Sequence, residues 1–193
     1  KNLHRIRPKE PIFILFHNQK KITSFPQDNI EESFLARLPF CKNLYQWYLP
    51  LMPLATEEHD LKDFDIVISA SSFFAKGVIT GPNTLHISYC HTPPRFVWAD
   101  NYAYLSGLKQ GQIIKFLLPH FIHRLRMWDK MSVDRVDHFV ANSKTVQQRI
   151  NKYYRRESEV ISPPVHIKSF TPQKEIADYY IAGGRWVAHT RIE

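Results

Sequence analysis

The chain has 193 residues, 44% hydrophobic and 13% aromatic, which is ample for one full core and leaves room for part of a second domain. Lys and Arg outnumber Asp and Glu by 26 to 18, and the resulting net charge of +8 favours an anionic partner: nucleic acid, a phosphorylated substrate or an acidic membrane surface. No uncharged apolar run reaches the roughly 18 residues of a membrane span, and KNLHRIRPKE at the start has no apolar segment behind its charges to make a signal peptide.

In chain order, PIFILF (11–16) has the length and apolar character of a strand. IEESFLARL (30–38) reads as a helix, with acids in its first turn and Arg37 near its end, as the helix dipole prefers. DIVISA (65–70) is the next strand, and its exit carries Ser69, Ser71 and Ser72 at an expected helix start, with Lys76 one turn on. Backbone N–H groups there together with Lys76 suit a phosphate or a sugar hydroxyl; ordinary capping by Ser71 beside a solvated lysine accounts for the same residues. TLHISYC (84–90) follows as a strand and runs straight into His91, Thr92, two prolines and Arg95. Consecutive prolines keep a loop extended, so His91 is presented rigidly at a strand end, where open parallel sheets bind ligands.

GQIIKFLLPHFIHRLRMWDK (111–130) interleaves apolar and aromatic residues with Lys115, Arg124, Arg126 and Lys130. Such a stretch suits an anionic bilayer surface, with Lys115, Arg124, Arg126 and Trp128 facing the lipid; a core helix with a basic outer face fits the pattern as well. DHFVAN (137–142) and EVIS (159–162) are further strands, and SKTVQQRINKYY (143–154) is a Ser-capped or Asn-capped helix between them. The unbroken apolar runs suggest strands buried on both faces, and their alternation with helices argues for a parallel sheet. PPVHIKSFTPQKEIA (163–177) has three prolines and no clean period and reads as a linker, after which DYYIAG (178–183) starts a new strand.

Cys41 and Cys90 lie far apart without ligand spacing and are expected as reduced thiols of a cytosolic protein. No HExxH or HxH pair is present, His120 and His123 sit beside arginines, and no metal site is expected. A GxSxG elbow, a Walker loop, GxGxxG and a paired-carboxylate motif are all missing, and the aromatics fall in apolar runs instead of RNP-like spacing. Nucleic acid is therefore not the expected partner.

Taken in order, YLPLMPLATEEHDLKDFDIVISASSFFAKGV, HISYCHTPPRFVWAD, MWDKMSVDRVDHFVANSKTVQQRI and VISPPV resemble bacterial family 4 glycosyltransferases, and most closely the mannosyltransferase-like branch that builds O-antigen and exopolysaccharide. The resemblance implies the GT-B architecture of two Rossmann-like domains, the first holding the acceptor and the second the nucleotide sugar. It further implies metal-independent transfer with retained anomeric configuration, with no cofactor beyond a nucleotide sugar such as GDP-mannose as substrate. The His of the HTP-type loop then faces the transferred sugar, which makes His91 the candidate contact, with Arg95, Ser71 and Lys76 as further substrate-binding residues. Arg185, in IAGGRWVAHTRIE, falls where the family uses an Arg toward the donor diphosphate, whereas Thr190 stands where a Lys is expected.

The expected organisation is an acceptor-side α/β domain over residues 1–170, its first strand missing, with helices on both faces of a parallel sheet. A linker and the start of a donor domain over residues 171–193 follow. The expected function is transfer of a hexose to a lipid-linked saccharide by a cytoplasmic protein peripheral on the inner membrane face, the 193-residue chain itself being inactive. A catalytically silent sugar- or lipid-binding domain is the alternative.

Overall fold

The computed structural model describes residues 2–18, 29–100 and 112–165, with 167, 171 and 178 as isolated positions. The chain divides into two compact units, Lys1–Ser162 and Pro163–Glu193, and nearly all described residues belong to the first. The strand and linker expected over 163–183, together with Arg185 and Thr190, fall almost wholly outside the described residues.

After a short helix α1 (Asn2–Ile6), strand β1 (Ile12–Ile14) pairs in parallel with β2 (Ile30–Glu32), Ile12 opposite Ile30. Here the structure corrects the helix expected over 30–38. Its first residues form a strand, and only Phe34–Arg37 turn, as a 3-10 helix capped by Ser33. The reason lies in long-range partners. The Glu32 carboxylate accepts from the His17 backbone N–H at 2.7 Å, and the Ser33 hydroxyl donates to the Leu15 carbonyl at 2.6 Å. Both bonds lock residues 30–33 alongside β1 and outweigh a weak local helix preference.

A second sheet holds four strands, all parallel, in the order β3 (Ile66–Ser71), β4 (Leu85–Cys90), β5 (His138–Ala141), β6 (Glu159–Val160). Ile66 stands opposite Leu85, Ile87 opposite His138 and Val140 opposite Glu159. Between them run α2 (Met52–Glu57), α3 (Arg95–Trp98), the long α4 (Gln112–Met131) and α5 (Lys144–Arg149), the last continued by a π-helical turn, Ile150–Tyr154. The result is a Rossmann-like parallel α/β fold.

One sheet face packs a core of Cys90, Phe139 and Ala141 against Val133, Val136, Val146, Ile150 and Tyr154. His86 occupies the same face, wholly buried. A backbone carbonyl can only accept, so Nδ1–H donates to the Arg135 carbonyl at 2.8 Å, and Nε2 accepts from the Ser69 hydroxyl at 2.9 Å. The opposite face departs from the expectation of strands buried on both sides, for Ile66 is 57% exposed and Ile68 47%. An unbroken apolar run therefore told where these strands are but not what covers them.

Candidate functional site

Because its four strands are parallel, the larger sheet brings the exits of β3, β4, β5 and β6 to one edge, the edge at which such sheets bind ligands. His91 leaves β4 there, and Asn142 and Ser143 leave β5. Ser143 caps α5 as its sequence predicts, its hydroxyl accepting from the Val146 backbone N–H at 3.3 Å. Tyr89 ties this edge to the residue after β6 by donating its hydroxyl to the Ile161 carbonyl at 2.9 Å.

The segment after His91 is held from several sides. Pro93 and Pro94 are buried, and α3 follows with Val97 fully enclosed. Arg126 on α4 grips the Val97 carbonyl through Nε at 2.9 Å and Nη2 at 2.8 Å. Trp98 donates its indole N–H to Asp129 Oδ2 at 2.7 Å and stacks on Tyr153 with ring centroids 5.3 Å apart. Arg149 on α5 donates to the Thr92 hydroxyl at 3.1 Å. On this braced backbone His91 stands exposed, its ring edge against Tyr89 at 5.5 Å. Arg95, at the start of α3, pairs with Asp100 at 2.6 Å, both side chains substantially exposed. An exposed pair of this kind contributes about 0–1 kcal/mol, so the guanidinium is easily drawn to a bound anion. An imidazole that can donate or accept, on the same braced segment as a planar five-donor fork, suits a hydroxylated and phosphorylated ligand.

Lys76 is placed otherwise than the sequence suggested. It is 3% exposed, and its ammonium donates to Asp129 Oδ1 and lies over the rings of Phe73, Trp128 and Tyr154. Burial pushes its pKa down from the usual lysine range, against the upward pull of Asp129. The group is committed to the core and points no charge at a ligand. Ser71 ends β3, but no helix of useful length begins beside it, only a 3-10 turn, Phe74–Gly77, without a side-chain cap. Ser69 is spent on His86. Lys76 and Ser69 are thus taken by the core and do not serve the expected phosphate cradle, and the side chain of Ser71 lies outside the described residues.

On α4 two of the expected lipid-facing residues turn inward. Arg126 holds α3, and Trp128 donates its indole N–H to Glu57 Oε1 at 2.8 Å while packing on Phe73 and Phe74. Arg124 is exposed, beside a shallow hollow of about 460 Å³ lined by Pro119, His120, Phe121, His123 and Arg124. The side chain of Lys115 lies outside the described residues. Both cysteines are free and buried, and burial pushes the Cys90 thiol up to about 12, which leaves it inert at neutral pH.

Three supporting residues escaped the sequence reading: Asp129, Arg149 and Glu57. Only Asp129 left a signal, an acid one turn beyond Leu125 on the apolar stripe of α4, with Ile122 a turn before that. Among the described residues no helix is long and apolar enough to cross a membrane.

Comparison with known proteins gives one match, to the sequence model described as Glycosyltransferase Family 4, over residues 14–169. No curated protein and no solved structure is matched. The family match takes in every strand described from Ile14 onward, the braced HTPPR segment and the whole edge at which His91 stands; the chain belongs to glycosyltransferase family 4.

Proposed function

We propose that the chain serves transfer of a hexose, mannose in the first instance, from a nucleotide sugar such as GDP-mannose to a lipid-linked saccharide in surface polysaccharide synthesis. The transfer retains anomeric configuration and needs no metal. The reaction takes place at the cytoplasmic face of the inner membrane, with the protein bound peripherally.

His91 carries this reading: an exposed imidazole at the ligand-binding edge of the sheet, on a segment fixed by Arg126, Asp129 and Arg149. It hydrogen-bonds a hydroxyl of the transferred sugar, and Arg95, four residues on in the same segment, serves the acceptor's anionic groups. Arg185 is assigned to the donor diphosphate on the family resemblance alone.

His91→Ala in the whole encoded enzyme is the test, with GDP-mannose and a polyprenyl-diphosphate-linked saccharide. Loss of one positioned polar contact is worth about 2.7–4 kcal/mol at a transition state, so kcat/KM falls ~10²–10³-fold while the melting temperature stays. Unchanged kcat/KM in a folded variant removes His91 from the site. Thr190 in place of the expected Lys favours a second reading, a silent sugar- or lipid-binding domain, which predicts no turnover by the unaltered enzyme with any nucleotide sugar.

A further inference from the structure

Between Ser33 and Thr56 the sequence contains no acidic residue, and Arg37 and Lys42 are its charged groups. This segment has apolar side chains on both sides. Inward, Leu35, Met52 and Ala55 form a core with Tyr48 and Leu49 packed against it. Outward, Phe40 is 72% exposed, Trp47 71%, Leu54 58%, Leu44 49%, Tyr45 47% and Leu51 39%. An element that faces water on its outer side is expected to be polar there. Single exposed apolar residues are ordinary, but six of them within fifteen positions, three of them aromatic, mark a contact surface.

The surface is built. Tyr48 donates its hydroxyl to the Pro39 carbonyl at 2.6 Å and closes the turn that carries Phe40 to Trp47. Inside it Leu44 N–H reaches the Phe40 carbonyl at 2.8 Å, and Trp47 N–H the Leu44 carbonyl at 2.9 Å. Phe40 itself is left-handed, φ 56, a conformation a bulky residue holds only at a cost, and the outcome is a ring standing in solvent.

We infer that residues 40–54 form an interfacial docking surface for an anionic phospholipid bilayer. Phe40, Leu44, Trp47, Leu51 and Leu54 enter the headgroup–acyl boundary, Tyr45 lies at its level, and Arg37 and Lys42 meet the phosphates. The composition is what a lipid interface selects: Trp and Tyr settle at headgroup depth, basic residues add attraction to anionic lipid, and an acid in the patch would oppose it. This assignment deepens the peripheral-membrane part of the proposed function. It moves the principal contact from α4, where Arg126 and Trp128 face inward, to residues 40–54.

The test measures lipid binding without sugar transfer, so it fails or succeeds independently of the catalytic reading. The protein is sedimented with vesicles of phosphatidylcholine and phosphatidylglycerol in equal parts, and tryptophan quenching is read with phosphatidylcholine brominated along its acyl chains. The unaltered protein binds and is quenched. Leu44→Ser with Trp47→Ser, both exposed and therefore harmless to the fold by circular dichroism, lowers binding at least about tenfold. On a Trp186→Phe background, Trp47→Phe keeps the binding and loses most of the quenching, because Trp98 and Trp128, the tryptophans that remain, are partly buried. Phe116→Ser with Met127→Ser, on the outer side of α4, leaves binding near its original level. Wild-type binding by the Leu44/Trp47 double variant, bound protein without quenching, or loss of binding only in the α4 variant each overturns the assignment. So does a protein that ignores vesicles and instead self-associates through this patch in sedimentation velocity.

Discussion

Replacing Asp129 with Ala removes the anchor of a fully buried charge. Its carboxylate is 0% exposed and accepts from the Lys76 ammonium, from the Trp98 indole at 2.7 Å and from the Tyr154 hydroxyl at 3.3 Å. Lys76 is 3% exposed and has one other partner, the Phe73 carbonyl at 3.4 Å. Breaking a buried pair from one side strands the other charge, which costs about 3–5 kcal/mol, a large part of the roughly 5–15 kcal/mol that holds a domain folded. The double variant Asp129→Leu with Lys76→Met removes both charges and keeps the volume. It still leaves the Trp98 and Tyr154 donors without their acceptor, at about 1–3 kcal/mol each if they stay dry, offset by the gain from an apolar pair. The double variant is therefore expected to be more stable than the single. Equilibrium urea unfolding, followed by circular dichroism with a common m-value, measures both. A single variant within about 1 kcal/mol of the unaltered protein, or a double variant less stable than the single, refutes the reasoning.

Two further outcomes follow from the same core. Burial holds the His86 imidazole below its ordinary value of 6.5, with His59 shifted the same way, so the unfolded chain binds more protons below that pH and stability falls as pH drops from about 7 to 5. The slope from His86 is at most about 1.4 kcal/mol per pH unit, and His86→Gln flattens it in urea titrations across that range; an unchanged slope excludes His86 as its source. At Gly77 an added Cβ comes well inside van der Waals distance of the Trp128 ring, which Glu57 holds in place, so Gly77→Ala destabilises by about 1–3 kcal/mol in thermal melts, and a neutral result places slack in this contact.

Most strands were legible from the sequence because an apolar run of strand length is a local signal. PIFILF, TLHISYC, DHFVAN and EVIS each contain the strand observed, and DIVISA covers all of β3 but its last residue, Ser71. IEE at 30–32 was not, since three residues with two acids resemble a helix start until β1 lies beside them. The position of His91 was legible through its proline neighbours. The fate of Lys76 was not, because its partner Asp129 is 53 residues away and a lysine after a serine-rich strand exit looks the same whether it faces water or core. Phe40, Trp47 and Leu51, on which the sequence pattern gave no reading, show the same limit: sequence hydrophobicity cannot separate a side chain that enters a core from one that leaves it.

The bracing of residues 92–98 also bears on how this edge of the sheet can change. Arg126 fastens to a backbone carbonyl, that of Val97, which every amino acid would present, while Trp98 is held by Asp129 on α4 and Thr92 by Arg149 on α5. Positions 91 and 95 carry none of these ties. The course of the segment is thus set separately from the chemistry it displays, and substitutions at 91 and 95 can change the groups presented at this edge without a new fold having to be found.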